Sequence, residues 1–177
     1  SALKVEEVKE LLKKDNDKVL RIYSKNTYRT GFSLATKLWL GDYALSNQDG
    51  DIKTFAELAE SSRGIGRIGV LRADVDNMGA AFVSGFVREN AAENKYRYIT
   101  LSRTATLSRS LSIFFKYYLN DLLANGEFSL LAPAGQRNIV VVYSGGDDLF
   151  LVGAWNEVLC AAIDIRRAFS SYTGNTL

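Results

Sequence analysis

Ser144-Gly145-Gly146-Asp147-Asp148 places two adjacent carboxylates directly after a glycine pair. Apolar, β-type runs flank it at 138–143 and 149–152, so the segment reads as a hairpin with acid groups at its tip. Neighbouring aspartates add nothing to packing there. They do suit a divalent cation, because hard cations take clustered carboxylate oxygens. Asp74-Val75-Asp76 ends a second apolar run. Two such acidic elements side by side would make a metal-dependent phosphoryl-transfer site, with Asp74, Asp147 and Asp148 as ligands. Three close carboxylates repel one another unless a cation lies between them. Two Mg²⁺ or Mn²⁺ ions would settle that conflict and clamp a nucleoside triphosphate.

Asp76-Asn77-Met78-Gly79-Ala80 then leads into a helix, whose first N–H groups can cradle phosphates. Gly79 lets the backbone approach closely. Gly145 and Gly146 remove side chains where a base or sugar must approach. Each element alone has a plainer explanation, a solvated acidic turn or a polar strand end. Their joint occurrence in one frame is what points to a metal site.

Composition narrows the chemistry. The chain has 177 residues, 47% hydrophobic and 24% charged, with a formal net charge of +2. That is enough to bury a core and too little charge to argue for nucleic acid by itself. There is one cysteine, Cys160, and no histidine. Disulfide frameworks, cysteine zinc sites, Ser-His-Asp triads and His-ligated metals are excluded, so a metal must be held by oxygen. No run approaches a membrane span and no signal-peptide pattern is present, so a cytoplasmic protein is expected.

The elements that must position these residues follow from periodicity. A short amphipathic helix is predicted over 3–14, and strands over 18–24 and 32–40, the second with Phe32, Leu34, Thr36, Leu38 and Leu40 on one face. Thr54 and Glu57 predict a capping box for a helix through Glu60. The Ser/Gly stretch 61–66 is the candidate domain boundary. A strand over 67–74, a helix beginning over 77–86 and a charged surface excursion over 88–97 come next. A single long helix is predicted over 101–123, with Leu107, Leu111, Phe114, Phe115, Tyr118 and Leu122 on its apolar face and Gly126 capping its end. The hairpin follows, then a helix over 155–169 with Trp155, Val158, Leu159, Ala162, Ile165 and Phe169 inward.

That order is β-α-β-β-α, one strand short of a ferredoxin-like β-α-β-β-α-β unit. The fold class is α+β, with a small N-terminal annex. The chain starts at Ser1 without methionine and stops where a last strand would begin, so a fragment is expected. In this topology the first strand is central and lies beside a hairpin strand, which would bring Asp74 to the turn. The hairpin runs are apolar on both faces, which calls for another domain over the second face of the sheet.

The segment 68–79, Phe82, Gly85-Phe86 and the segment 143–155 resemble the second palm domain of the large subunit of type III CRISPR effector complexes, the III-A form fitting best. Leu38-Trp39-Leu40-Gly41-Asp42-Tyr43 resembles the stretch just before that palm. The resemblance implies that residues 1–62 end the domain preceding the palm and that 63–177 form the palm, which is similar to polymerase and nucleotide-cyclase palms. It implies ATP as substrate and cyclic oligoadenylate second messengers as product, made by 3′–5′ nucleotidyl transfer when the complex binds target RNA. Asp147 and Asp148 match the catalytic metal-binding pair, Asp74 the first-strand acid with the Val75 carbonyl as a further ligand, and Asp76 to Gly79 the phosphate-facing loop. Ser144 matches a variable position and receives no chemistry. Implied partners are the companion palm and remaining domains of the same subunit, the other effector subunits, and guide and target RNA. The family's single-strand DNA cleavage belongs to a His-Asp domain, which a chain without histidine does not contain.

Two other classes compete. Diguanylate cyclases carry a related Gly-Gly-Asp/Glu-Glu-Phe palm motif, but Asp148 and Leu149 stand here for Glu and Phe. A non-catalytic palm serving as scaffold or nucleotide sensor is the third class, and intact Asp74, Asp147 and Asp148 weigh against decay.

Overall fold

The computed structural model describes residues 5–14, 21–26, 35–88 and 94–175. They divide into two compact units, Ser1–Trp39 and Leu40–Leu177. The first contains helix α1 (Val5–Lys14) and strands β1 (Ile22–Lys25) and β2 (Ala35–Leu38). Glu6 and Glu7 in the first turn of α1 and Lys13 and Lys14 in its last complement the helix dipole. β1 and β2 pair in parallel, Ile22 opposite Ala35. The predicted helix start at Leu3, strand residues 18–20, Phe32 and Leu34, and part of the 88–97 excursion lie outside the described residues.

The second unit is built on an antiparallel sheet of β3 (Ile68–Ala73), β4 (Ile139–Gly145) and β5 (Asp148–Ala154), in the order β3-β5-β4. β5 is the middle of these three strands, and β3 lies beside it, as the ferredoxin-like order predicts. The second hairpin strand thus runs beside β3, which is what the site requires. The core joins Ile139, Leu149 and Leu151 to Phe114, Phe115, Leu119 and Leu123 of the helical stretch before the hairpin and to Val158, Ala161 and Ile165 of helix α6 (Trp155–Tyr172). In α6 it is Cys160 and Ala161 that are buried, while Leu159 is about half exposed. A Cβ on Gly69 would stand 2.8 Å from Trp155 Cα, so this glycine lets α6 lie directly on β3.

Helix α2 (Phe55–Glu60) packs against β5 and β3, and its Leu58 is fully buried outside the main core. Val152 and Ala154, which alternate away from Leu151, are buried with it. Val70, Val142 and Tyr143 remain exposed on the sheet. The stretch before α2 closes the outer edge of β4: Val141 N–H donates to Tyr43 O at 2.8 Å, and Tyr43 Oη–H to Arg137 O at 2.8 Å. Asn120 anchors the same stretch by accepting the Asp42 and Tyr43 N–H groups at 3.0 Å each. The compact unit begins at Leu40, and within it the 61–66 stretch is tied to the start of α6 by Arg63 N–H, which donates to Asn156 Oδ1 at 3.0 Å.

The predicted long helix is three pieces in one course. α4 (Leu101–Ile113) runs into a π turn (Phe114–Tyr118) and then α5 (Leu119–Ala124). The buried residues Leu111, Phe115, Leu119 and Leu123 are spaced by fours. A regular helix would rotate that row steadily off the core, and the wide π turn holds it in place. Gly126 does not act as a left-handed cap. A Cβ there would collide with the Arg137 guanidinium.

Arg137 is wholly buried beneath the root of the hairpin. Its Nη2 donates to Asp164 Oδ2 at 3.0 Å and Phe128 O at 2.7 Å, and its Nη1 to Pro133 O at 2.8 Å. Asp164 also accepts the backbone N–H of Phe128 at 2.9 Å. Beside it the buried Glu157 accepts the Asn138 backbone and side-chain N–H groups, the latter at 2.7 Å. Among the described residues no helix is long and apolar enough to cross a membrane.

Removing one partner of a buried, hydrogen-bonded ion pair leaves the other charge uncompensated. Asp164→Ala should therefore cost about 3–5 kcal/mol in urea unfolding, with Asp164→Asn costing less. The capping box at α2 is present as predicted, with Thr54 N–H donating to Glu57 Oε2 at 2.7 Å. That backbone bond, then the Thr54 hydroxyl, hold the Glu57 carboxyl below its ordinary value. Its contribution is present above the ordinary carboxylate pKa and is lost as pH falls through the lowered one. The Tm difference between wild type and Glu57→Gln should accordingly close on acidification from neutral pH, and a difference that persists in acid would refute it.

Candidate functional site

The hairpin turn follows from its glycines. Gly145 pairs with Asp148, so only Gly146 and Asp147 form the loop. Gly146 has φ +63, and a Cβ on it would meet nothing within 4 Å, so its requirement is conformational. A two-residue loop with glycine first in the left-handed region fits the twist of the flanking strands. Gly146 is exposed, while Gly145, Asp147 and Asp148 are half-buried.

β3 delivers the second acidic element. Its last paired residue, Ala73, lies opposite Leu149, so the next step sets Asp74 across from Asp148. Ala73 packs against the core, so Asp74, next along the strand, alternates to the second face and is exposed. Val75 returns to the core, as expected, which leaves its carbonyl as the group it can offer. Asp76 and Asn77 are exposed, and Asn77, at φ +57, turns the chain into helix α3 (Met78–Ser84). Met78 packs its side chain against the core, so only its backbone can face a ligand. Gly79 has open space where a Cβ would stand, so packing does not require glycine there.

The three carboxylates are not gathered around one point, contrary to expectation. Among the described residues no group of three acidic, His or Cys side chains is arranged to hold a metal ion. Asp74 and Asp148 are opposed across two strands, Asp147 stands one residue further on in the loop, and Asp74 Oδ1 accepts the N–H of Val75 at 3.0 Å. Like charges with no cation between them stay apart. The donor set still fits Mg²⁺ or Mn²⁺. Mg²⁺ takes one or two carboxylates and fills its other positions with water and phosphate oxygens, without a closed protein cage.

One contact carried no sequence signal. Ser144 Oγ–H donates to Phe115 O at 2.5 Å, one residue before the glycine pair. A regular α-helix would give the Leu119 N–H to Phe115 O, but in the π turn it bonds Phe114 O. A Cβ on Gly41 would lie 2.6 Å from Phe115 O and 2.7 Å from Ser144 Oγ, so three segments close tightly beside the acidic turn.

Residues 67–177 match the family described as Cas10/Cmr2, second palm domain. The chain is 40% identical over 172 residues to the CRISPR system single-strand-specific deoxyribonuclease Cas10/Csm1 (subtype III-A) of Mycobacterium tuberculosis, a match covering 92% of this chain and 20% of that protein. It is 41% identical over 163 residues to the Enterococcus italicus protein of the same description, covering 91% and 19%. The chain thus spans about a fifth of the length of the curated relatives it matches. Among solved structures it is similar to the Csm1–Csm4 cassette in complex with cA4, with TM-score 0.72, 33% identity, and 88% of this chain and 22% of that chain covered. It is likewise similar to the cassette in complex with one ATP, with TM-score 0.69, 32% identity, and 88% and 22% covered. A match over most of the chain, with the antiparallel sheet and acidic turn it calls for, shows that the chain belongs to the Cas10/Cmr2 second palm domain family, alongside the Cas10/Csm1 proteins of subtype III-A.

Proposed function

We propose that this chain is the nucleotide-converting palm of a type III-A effector large subunit and that it turns ATP into cyclic oligoadenylate when the complex binds target RNA. The observation that carries this reading is the register that ends β3 at Ala73 opposite Leu149, one residue from Asp74 on one strand and Asp148 on the other, with Asp147 next in the two-residue turn. Support comes from the related Csm1–Csm4 cassettes, whose structures hold ATP, AMPPNP, pppApA and cA4.

In this reading Asp147 and Asp148, with Asp74 and the Val75 carbonyl, hold Mg²⁺ or Mn²⁺. The metal would polarise the transferring phosphoryl group and lower the pKa of the attacking 3′-hydroxyl. The backbone of Asp76, Asn77, Met78 and Gly79 faces the phosphates, and Gly145 and Gly146 keep the approach to the turn free of side chains. Residues 1–62 end the preceding domain, with 40–62 packed onto the palm of 63–177. The companion palm, the other effector subunits, and guide and target RNA are its proposed partners, in the cytoplasm. A non-catalytic palm serving as scaffold or nucleotide sensor is the second reading.

A ligand bound only by the folded chain raises stability by mass action. ATP at ten times its Kd should add about 1.4 kcal/mol. In thermal unfolding, ATP with Mg²⁺ or Mn²⁺ should raise the Tm of wild type more than GTP does, and Asp147→Ala/Asp148→Ala should lose the shift. Equal shifts in both proteins would place the nucleotide elsewhere.

Ring closure needs a donor triphosphate and an acceptor hydroxyl held in line, an alignment worth about 7–11 kcal/mol of barrier. One palm positions one nucleotide, so this chain alone should yield little or no cyclic product from labelled ATP. The complete subunit in its complex with target RNA should yield it, and the double substitution there should abolish it while sparing DNA cleavage. ATP binding without product from the wild-type complex would favour the sensing palm.

A further inference from the structure

We propose that Arg88, Lys95, Arg97 and Arg103, with Tyr96 and Tyr98, form a contact surface for the phosphodiester backbone of a single-stranded nucleic acid. Residues 88–116 carry six Lys or Arg and two Glu, so this segment alone exceeds the +2 net charge of the whole chain. The guanidinium carbons of Arg88 and Arg103 each lie 4.4 Å from the centroid of the Tyr98 ring. Sharing one ring, they stand no more than 8.8 Å apart. Arg88 N–H also donates to Lys95 O at 3.1 Å, which ties the next cation to the pair. Lys95 stands 5.9 Å from the centroid of the Tyr96 ring, and Lys95, Tyr96 and Arg97 are exposed. Among the described residues none of these four cations makes an ion pair. Cations held this close repel each other, and successive phosphates would relieve that repulsion.

The supporting helix agrees. Leu111 is the one buried residue of α4, and Ser102, Thr106, Ser108 and Arg109 are exposed along it. The helical course passes Ser144, at the turn end of the sheet, at Phe115 and reaches the hairpin root at Leu123, whose carbonyl accepts the Arg137 N–H. Continued backwards from Phe115, the helix reaches Arg103 after a rise of about 18 Å from the level of Ser144. A helix with exposed arginines and hydroxyls, preceded by the exposed Tyr96, offers the groups that position a nucleic-acid backbone. Guanidinium forks suit phosphates, and the exposed Tyr96 offers a stacking face that an acidic peptide would not use. The proposal needs neither ATP nor a metal.

The test is fluorescence anisotropy of a labelled 20-nucleotide oligouridylate with the 177-residue chain in EDTA, titrated with salt. Wild type should bind with a log K against log salt slope steeper than about −2, as three or more neutralised phosphates require at about 0.7 each. Lys95→Ala/Arg97→Ala should weaken binding tenfold or more and flatten the slope by about 1.4. Arg166→Ala/Arg167→Ala, an equal charge loss on α6, should stay within twofold. Asp147→Asn/Asp148→Asn should bind no more weakly than wild type, which separates this surface from the proposed ATP site. No binding at low salt, unchanged binding in Lys95→Ala/Arg97→Ala with native circular dichroism, or an equal loss in the α6 variant would overturn the proposal. So would polyglutamate competing as well as oligouridylate, which would assign the surface to an acidic protein.

Discussion

The geometry of the acidic turn depends on a guanidinium that has no access to water. Arg137 immediately precedes the hairpin, and its acceptors come from Asp164 on α6 and from the carbonyls of Phe128 and Pro133. Burying a lone guanidinium would cost several kcal/mol, so these acceptors must all be in place at once. That condition fixes the loop over 126–136, the start of β4 and the middle of α6 in one arrangement. It also explains Gly126, since any side chain there would occupy the space of the guanidinium. Glu157 and Asn138 extend the same logic by one residue, and Lys53 Nζ donates to Asn138 Oδ1 at 2.7 Å. The hairpin is thus held by buried polar contacts at its root and left open at its acidic tip.

The other end of the hairpin is held by a helix irregularity. The π turn keeps Leu111, Phe115, Leu119 and Leu123 facing the sheet, and its shifted bonding goes with a Phe115 carbonyl that accepts from Ser144. Aromatic packing reinforces the same place. Phe114 meets Phe115 edge-on at 5.3 Å and Phe169 at 5.1 Å, which ties the π turn to the end of α6. Two helices thus brace the strand end that carries Gly145.

What was legible in the sequence was local. Strand alternation, the Thr54–Glu57 box and the glycine-led turn depend on near neighbours, and each formed as the residues dictate. The placement of Asp74 beside the turn followed from topology, since an antiparallel β3–β5 pair allows little else. The contacts that escaped were long-range. Arg137 and Asp164 are 27 positions apart, and nothing in either neighbourhood marks them as partners. The π turn was hidden because a row spaced by fours also reads as an ordinary helix. Leu159 was placed inward by period alone, yet a small shift of the helix face buries Cys160 and Ala161 instead. Register brings the backbone positions of the acidic residues near one another, but where their carboxyl groups lie is set by side-chain torsions that sequence spacing does not fix.

Charge is the thread that joins these parts. A net charge of +2 conceals a segregation, with acids at the turn and cations on the 88–103 segment that leads into α4. Within the fold, opposite charges are already neutralised where they are buried, as at Arg137 and Asp164. Among the described residues the carboxylates at the turn and the exposed cations of the 88–103 segment have no partner of opposite charge, so their counter-charges would come from outside the chain. A carboxylate pair facing solvent takes a hard cation, and a cation cluster facing solvent takes phosphate. In the proposed reading a nucleotide with its metal would bring both signs to the turn, whereas a single strand on the 88–103 segment would arrive without metal and be balanced by the Lys and Arg side chains alone. The two proposed sites would then respond oppositely to their surroundings: removing divalent cation would disable the turn and spare the basic segment, whereas raising monovalent salt would screen the basic segment first, because exposed cations hold a ligand by charge and not by coordination.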